Sequence, residues 1–185
     1  MRRLLLFICI CLSLWMASQA KPARAELRVG QRFGSLTFSG TLSDADRRYL
    51  GLARPGAFTL NDVHARYLLL QIFSDACPHC TLQAPVVNRL FQELSANPQL
   101  SGGTLKMVGV GYYCTPAAME RWRGKYGAPF PLIPDPKGQV FRTLDAPGTP
   151  TYLVLDSRGT VVYLFVGEIT NTRRFMRQLQ AHLAL

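Results

Sequence analysis

The chain has 185 residues, a formal net charge of +10 and 48% hydrophobic residues, which suits one domain with a sizeable core. With such a core, the chain does not need disulfide bonds in order to fold. Lysine and arginine are scattered and form no basic stripe, so the composition argues against nucleic-acid binding. A positive surface of this kind suits acidic partners or an anionic membrane face.

Residues 1–25 have the pattern of a secretory signal peptide. Arg2 and Arg3 precede an apolar stretch of 14 residues, which is short for a membrane-spanning helix. Small residues then suit cleavage after Ala20 or Ala25, and we favour Ala25. The sequence therefore predicts an exported, periplasmic protein whose mature chain, without four of the basic residues, carries a charge of +6. The alternative is an uncleaved N-terminal anchor that leaves the protein facing the periplasm.

The cysteine count fits an exported protein. Cys9 and Cys11 lie in the predicted signal peptide, so Cys77, Cys80 and Cys114 remain in the mature chain. A framework of structural disulfides needs an even number of cysteines. At least one of the three thiols is therefore free or pairs transiently.

Residues 26–55 have the least informative sequence in the chain. A short strand is expected there, and Ser43 or Asp44 can cap a short helix that ends at Gly51. We therefore predict an N-terminal extension that packs on a main domain formed by residues 56–185. A short edge strand and a turn are expected at the start of that domain.

Residues 67–74 form a near-continuous apolar run, which predicts a strand buried on both faces, as in a parallel sheet. A helix is predicted over residues 78–96, with a kink at Pro85, since proline removes a backbone hydrogen bond. The predicted buried face of this helix has an apolar residue at every fourth position: Leu82, Val86, Leu90 and Leu94.

The rest of the chain predicts alternating elements. These are a strand at 105–112, a helix from Pro116 with Met119, Trp122 and Tyr126 buried, and a proline-rich connector at 129–137. Helical turns follow at 138–144, then two strands at 151–156 and 160–166 joined by a hairpin, and a last helix capped by Asn171 or Thr172. This order begins with a right-handed βαβ crossover and ends with an antiparallel pair and a covering helix. The sequence thus predicts an α/β fold with a mixed central sheet and helices on both faces.

A Cys-Pro-His-Cys motif joins the first core strand to the following helix. It places Cys77 at the helix N-terminus, where free N–H groups and the helix dipole favour a thiolate. A protonated His79 beside Pro78 would stabilise that thiolate further, and the alternative is an exposed histidine with little effect. A second cysteine pair is absent and the histidines have no ligand spacing, which argues against a metal site. We therefore predict that Cys77 and Cys80 form a redox dithiol.

The motif and its surroundings resemble the thioredoxin fold and, more closely, the exported TlpA/ResA-like branch of thiol–disulfide oxidoreductases. The resemblance covers residues 58–185 and rests on four features. These are the Cys-Pro-His-Cys motif after a buried strand, Pro85 five residues beyond the second cysteine, a Gly-Thr-Pro-Thr stretch at residues 148–151 before a strand, and an Asp-Ser-Arg-Gly hairpin at residues 156–159. We therefore predict a thioredoxin fold with an N-terminal extension.

The resemblance implies a role for each residue of the site. Cys77 is expected to be the nucleophile and Cys80 the resolving thiol. Pro150 is expected to have a cis peptide bond beside the thiols, and the neighbouring backbone at Thr149 can pair with an extended substrate segment. The alternative for Pro150 is an ordinary trans proline in a turn.

The chain departs from the thioredoxin pattern at two positions. Gln71 stands where thioredoxins usually carry a buried aspartate, and a glutamine cannot take a proton from the resolving thiol. Ala76 stands where they usually carry tryptophan, which leaves the substrate platform more open. Asp75 and Glu168 are the nearest candidates for a replacement base, although each is more readily explained as a surface charge.

Cys114 follows the second core strand of the predicted sheet. In this fold the end of that strand lies at the same edge of the sheet as the dithiol. Cys114 is therefore a candidate for an additional redox thiol. The commoner explanation is a lone buried or half-buried thiol.

The predicted activity is disulfide exchange with exported proteins that contain thiols or disulfides. No cofactor is expected, because electrons would come from a redox partner protein, either soluble or membrane-bound. The TlpA/ResA-like resemblance favours a reductant. The Pro-His dipeptide, which strongly oxidising DsbA proteins share, favours an oxidase or isomerase. We favour the reductant, and the sequence predicts no oligomeric state.

Three other functions are less consistent with the sequence. One is a peptide-binding or chaperone module that presents the groove at Thr149 and Pro150. Another is a copper carrier, but those of this fold usually have three residues between their cysteines, whereas this chain has two. The third is a thiol peroxidase. Such proteins have Ser or Thr three residues before the reactive cysteine, and Ser74 fits this pattern, but they have proline where this chain has Leu70.

Overall fold

The computed structural model describes residues 26–34 and 36–184. The predicted signal peptide, with Cys9 and Cys11, lies outside the described residues. The strands in the described part are β1 (Thr37–Phe38), β2 (Phe58–Thr59), β3 (Tyr67–Phe73), β4 (Leu105–Tyr112), β5 (Leu132–Asp135), β6 (Thr151–Asp156) and β7 (Val161–Val166). The α-helices there are α1 (Asp44–Leu50), α2 (Pro78–Ala96), α3 (Pro116–Tyr126), α4 (Gln139–Leu144) and α5 (Thr172–His182).

A five-stranded mixed sheet forms the centre of the protein, with strand order β5-β4-β3-β6-β7. β3, β4 and β5 are parallel, whereas β6 pairs antiparallel with β3 and β7 pairs antiparallel with β6. Every residue of β3 is buried, as its continuous apolar sequence predicts for a central strand. This mixed sheet with helices on both faces confirms the predicted thioredoxin fold.

Successive side chains of β3 point to opposite faces of the sheet and belong to two core clusters. Leu69 packs on the side of α2, α3 and α5, together with Trp122 and Phe175. Leu70 packs on the side of α1 and α4, together with Leu50. None of the helices in the described part of the chain is long and apolar enough to cross a membrane.

The prediction of a connector without a strand at residues 129–137 is wrong. β5 lies within it and pairs parallel with β4, at the edge of the sheet. Proline lacks the N–H of a ladder hydrogen bond, and an edge strand tolerates this because one of its sides has no partner strand, so Pro134 is accommodated. Gly109 of β4 leaves room for the side chain of Leu132 in β5, since a Cβ at position 109 would lie 2.9 Å from that side chain.

Helix α2 has the predicted bounds, and it continues through Pro85. Its predicted buried face is wrong at the N-terminal end, because the Leu82 side chain is 66% exposed and Val86 is only half-buried. Steps of four residues drift about 40° per step around a helix, so such a series leaves the buried face. The buried face instead combines steps of one, three and four residues, which keep to one side of the helix: Cys80, Gln83, Ala84, Val87, Leu90 and Leu94.

The residues before the main sheet pack onto it, as predicted. Helix α1 begins after Ser43, whose side chain accepts the N–H of Asp46, and it ends at Gly51 in a left-handed conformation. β1 and β2 form a separate two-stranded antiparallel sheet. Leu27 and Phe38 are buried in the same core cluster as α4. The domain boundary at residue 56 stays a prediction.

Candidate active site

The dithiol lies where the central strand of the sheet leads into helix α2. Cys77 is the N-cap of this helix, and Pro78 is its first residue, a position that tolerates the missing N–H of proline. The Sγ atom of Cys77 accepts a hydrogen bond from the N–H of Cys80 at 3.4 Å. The first thiol therefore lies at the positive end of the helix dipole, as predicted.

The two thiols differ in exposure and in acidity. Cys77 is half-buried, whereas Cys80 is fully buried. Burial raises the pKa of Cys77, but contacts of its sulfur with the Cys80 thiol, with Thr149 and with helix N–H groups outweigh burial and hold the pKa below its ordinary value. Burial and the neighbouring Cys77 thiol raise the pKa of Cys80 to about 12. Cys77 is therefore the more acidic and the more accessible thiol.

The loop before β6 forms a second wall of the site. Its Thr149–Pro150 peptide bond is cis, as the resemblance to the family implies. The thiol of Cys77 donates a hydrogen bond to the carbonyl oxygen of Thr149 at 3.4 Å, so this loop lies directly against the dithiol. The carbonyl of Pro150 accepts the N–H of Gly167 at 2.9 Å, which ties the loop to the chain that follows β7.

His79 contacts a carboxylate from the segment that follows β7. Its Nδ1 atom lies 2.5 Å from Oε1 of Glu168, a residue just after β7. The hydrogen bond and the charge of Glu168 raise the pKa of His79, against a smaller opposing effect of burial. The side chain of Glu168 is 36% exposed, so Glu168 is a surface charge, and it has an ion-pair partner in His79. In the described part of the chain, no group of three or more His, Cys, Asp and Glu side chains is arranged to hold a metal ion.

Cys114 is fully buried just after β4. Its sulfur accepts the N–H of Asp75 at 3.4 Å, and its thiol donates to Oδ1 of the same residue at 3.2 Å. Burial raises the pKa of Cys114 to about 11. Asp75 is exposed, as expected of a surface charge, and its N–H and carboxylate also hold this thiol against the turn that precedes the dithiol. The redox role of Cys114 stays a prediction.

Gln71 lies in the middle of β3, directly opposite Tyr152 of β6. The side chain of Gln71 is 3% exposed, and that of Tyr152 is fully buried. Burial raises the pKa of Tyr152, with a smaller contribution from the charge of Cys80. An amide and a phenol thus occupy the interior next to the second thiol, where the thioredoxin pattern has a carboxylate.

Gln83 is a site residue that the sequence analysis missed. It lies one turn after Cys80 on the same face of α2 and is 5% exposed. Its Oε1 atom accepts the N–H of Ile169 at 2.9 Å, so it ties α2 to the segment that contains Glu168. The sequence pattern that could have identified Gln83 is a polar residue three positions after Cys80, on the same face of the helix as this buried cysteine.

Comparisons with known proteins agree with this architecture. The family model described as Redoxin matches residues 30–179. A search of curated proteins gives no match. Among similar solved structures, the thioredoxin domain of a thiol–disulfide oxidoreductase from Bacteroides vulgatus has 12% sequence identity and a TM-score of 0.61, and the match covers 85% of this chain and 99% of that one. A thiol:disulfide interchange protein of the thioredoxin family from Chlorobium tepidum has 18% identity and a TM-score of 0.59, with 83% of this chain and 98% of that one covered. StoA from Bacillus subtilis has 14% identity and a TM-score of 0.56, with 78% of this chain and 96% of that one covered.

At these identities the structural likeness shows a shared fold, and the family model shows the relationship. The match covers most of the chain and includes both the dithiol and the loop at residues 148–151. The chain therefore belongs to the Redoxin family and has the thioredoxin fold.

Proposed function

We propose that this thiol–disulfide oxidoreductase exchanges disulfides with exported protein substrates, with Cys77 as the nucleophile and Cys80 as the resolving thiol. The observation that best supports the assignment is the contrast between the two thiols. Cys77 is half-buried and has a lowered pKa, whereas Cys80 is fully buried and has a pKa of about 12. An accessible thiolate can reach a disulfide in another protein, and a buried thiol reacts only with its neighbour.

In the reducing direction, the Cys77 thiolate attacks one sulfur of the substrate disulfide. The substrate S–S bond breaks, a mixed disulfide forms between Cys77 and the substrate, and the other substrate sulfur leaves as a thiolate. Cys80 then loses its proton and attacks the Cys77 sulfur, which releases the second substrate thiolate. The substrate gains two electrons and two protons, and the protein holds a Cys77–Cys80 disulfide until a redox partner returns two electrons.

The carbonyl of Thr149 supports the mixed-disulfide step. In the reduced protein its oxygen accepts a hydrogen bond from the Cys77 thiol. In the Cys77 thiolate and in the mixed disulfide, the sulfur has no hydrogen to donate, and the oxygen is free to accept an N–H of the substrate chain. An extended substrate segment beside Pro150 is therefore held next to the reacting sulfur.

We place the exchange in the reducing direction because the sequence resembles the TlpA/ResA-like branch. The second candidate is a disulfide oxidase or isomerase, and the contact between His79 and Glu168 favours it. A positive charge next to Cys77 stabilises the thiolate of the reduced protein, which makes the disulfide form a stronger oxidant. The two directions therefore predict different reduction potentials.

The signal peptide predicted at residues 1–25 supports export, and we place the mature protein in the periplasm. Its substrates are exported proteins with thiols or disulfides, and its electron partner is a second redox protein. N-terminal sequencing of the purified periplasmic protein tests this proposal. A mature N-terminus at residue 26 supports export with cleavage, whereas an intact residue 1 in the membrane fraction supports the uncleaved anchor.

The Cys80→Ala variant tests the exchange reaction. Without the resolving thiol, a mixed disulfide between Cys77 and its substrate persists and can be identified by mass spectrometry. Cys77→Ala is the matched control, and it should trap nothing. A Cys80→Ala variant that forms no adduct at Cys77 would contradict the proposal and would favour a peptide-binding module with incidental thiols.

The reduction potential of the Cys77–Cys80 pair decides the direction. It is measured by equilibrating the purified mature protein with a series of glutathione redox buffers. A value near that of thioredoxin, about −270 mV, supports a reductant, and a value near that of DsbA, about −120 mV, supports an oxidase.

A further inference from the structure

Glu168 is held in place by its two neighbours in the chain. The N–H of Gly167 donates to the carbonyl of Pro150 at 2.9 Å, which ties it to the loop beside the dithiol. The N–H of Ile169 donates to Oε1 of Gln83 at 2.9 Å, and both of these side chains are buried. The backbone on either side of Glu168 is therefore anchored to the walls of the dithiol site.

From this anchored position, Glu168 reaches the imidazole of His79 in the first turn of α2, with Oε1 and Nδ1 2.5 Å apart. The glutamate side chain is 36% exposed and the histidine side chain 67% exposed. Exposed ion pairs usually contribute little, because two mobile side chains must be ordered. Here the fixed backbone of Glu168 reduces that ordering cost.

We propose that Glu168 is a positioning residue of the dithiol site: through its contact with His79, it keeps a positive charge beside Cys77 at neutral pH. This inference rests on the proposed function, in which Cys77 is the nucleophile. The N–H of His79 contacts the Cys77 sulfur, and the charge of Cys77 acts in turn on the imidazole. Glu168 thereby favours the reduced form of the protein over the disulfide.

The direction of the effect follows from the charges. The carboxylate raises the pKa of His79, so the imidazolium persists to a higher pH than it would without that partner. The imidazolium stabilises the Cys77 thiolate, which is present in the reduced protein and absent from the disulfide. Without the carboxylate, His79 becomes neutral at a lower pH, and reduction of the disulfide becomes less favourable.

The titratable groups that act most strongly on His79 come from two elements. Glu168 faces it from the segment after β7, and Cys77 faces it from the N-terminus of α2. Both are negatively charged when ionised, and each favours the imidazolium. The histidine therefore responds to the oxidation state of the dithiol as well as to the carboxylate.

The test compares the wild-type protein with Glu168→Gln, which keeps the shape of the side chain and removes its charge. NMR follows the titration of the His79 ring protons, which are assigned with His79→Asn. Equilibration with glutathione gives the equilibrium constant for reduction of the disulfide from pH 5.5 to 8.5. We expect Glu168→Gln to move the His79 titration to lower pH and to decrease this constant about two- to five-fold at pH 7.5. At pH 5.5, where His79 is protonated in both proteins, the decrease should disappear.

Two further comparisons separate this effect from a merely structural one. In a His79→Asn background, Glu168→Gln should leave the equilibrium constant unchanged, because the glutamate acts through the histidine. Glu93→Gln removes the same charge from an exposed site about 21 Å farther along α2, and it should change neither measurement. An unchanged His79 titration in Glu168→Gln would overturn the proposal, as would an equal decrease in the His79→Asn background.

Failure of this inference is distinguishable from failure of the proposed function. The titration of His79 is read from the purified protein without any substrate. The proposed exchange reaction is tested by mixed disulfides trapped with Cys80→Ala. A protein that traps substrates and has an unperturbed His79 titration would contradict the role of Glu168 alone.

Discussion

Asp46 on α1 and Arg123 on α3 form an ion pair with Oδ2 and Nη2 2.9 Å apart, although they lie 77 positions apart in the sequence. Asp46 is 8% exposed, and Arg123 also donates to the carbonyls of Ala128 and Phe130. The pair therefore ties the N-terminal extension to the end of the helix that follows β4.

Asp46→Asn is expected to lower the free energy of unfolding by about 1–3 kcal/mol, because Arg123 then stays partly buried without its counter-charge. Urea denaturation of the purified protein measures the change. Asp44→Asn is the matched control: its carboxylate pairs with Arg47 but is mostly exposed, so a much smaller effect is expected. Equal effects of the two substitutions would contradict the structural role of the Asp46 pair.

Iodoacetamide is expected to modify Cys77 before the other two thiols of the reduced protein, because the thiolate is the reacting form. The pKa of about 12 for Cys80 and about 11 for Cys114 leaves about one thiolate in 10⁵ and in 10⁴ molecules at pH 7. We expect Cys77 to react at least about 100-fold faster than either. Peptide mass spectrometry over time measures the three rates, and similar rates for Cys77 and Cys114 would contradict the assignment.

Gln71→Asp is expected to destabilise the protein increasingly as the pH rises. The site is 3% exposed, and burial raises the pKa of a carboxyl group there above its value in the unfolded chain. The folded state then binds more protons than the unfolded state, so the free energy of unfolding falls as the pH rises above about 4. Urea midpoints at pH 5 and pH 8 test this, with Gln71→Asn as the uncharged control. A destabilisation that is the same at both pH values would rule out a buried ionising group.

The same Gln71→Asp substitution is expected to speed the resolving step. A carboxylate near Cys80 can accept its proton, and general-base assistance of this kind typically accelerates a step about 100-fold or more. The lifetime of a mixed disulfide between Cys77 and a model peptide, followed by rapid quenching, measures the rate. An unchanged lifetime would show that deprotonation of Cys80 does not limit resolution.

Cys114→Ala is expected to affect stability and to leave disulfide exchange intact. The substitution removes the contacts of the sulfur with Asp75 and leaves a small cavity, so we expect a loss of about 1–2 kcal/mol. Trapping with Cys80→Ala in this background should recover the same substrates. Loss of the trapped substrates in a variant that is still folded by circular dichroism would instead support Cys114 as an additional redox thiol.

Local sequence rules predicted the elements around the site well. The bounds of α2 follow from a proline at its first position, and the hairpin between β6 and β7 follows from its turn residues. The near-continuous apolar sequence of β3 predicted its position in the centre of the sheet. Each of these features depends on residues that are close together in the chain, so the local sequence is enough to predict it.

Contacts between distant segments were not predictable in the same way. β5 was missed because Pro134 and the prolines that flank the strand argue against a strand, and only pairing at the edge of the sheet makes Pro134 acceptable. The buried face of α2 was misplaced at Leu82 because regular four-residue spacing does not reveal which side the sheet covers. The partners of His79 and Cys114 depend on loops that meet only after folding.

The sequence by itself determined the fold class, the dithiol and its position at a helix start, because periodicity, proline placement and cysteine spacing are local properties. Only the tertiary structure decided the chemical environment of the thiols. Glu168 lies 89 positions from His79, and Asp75 lies 39 positions from Cys114. The electrostatics of a thiol depend on groups within a few ångströms, and the sheet brings these groups together from separate parts of the chain.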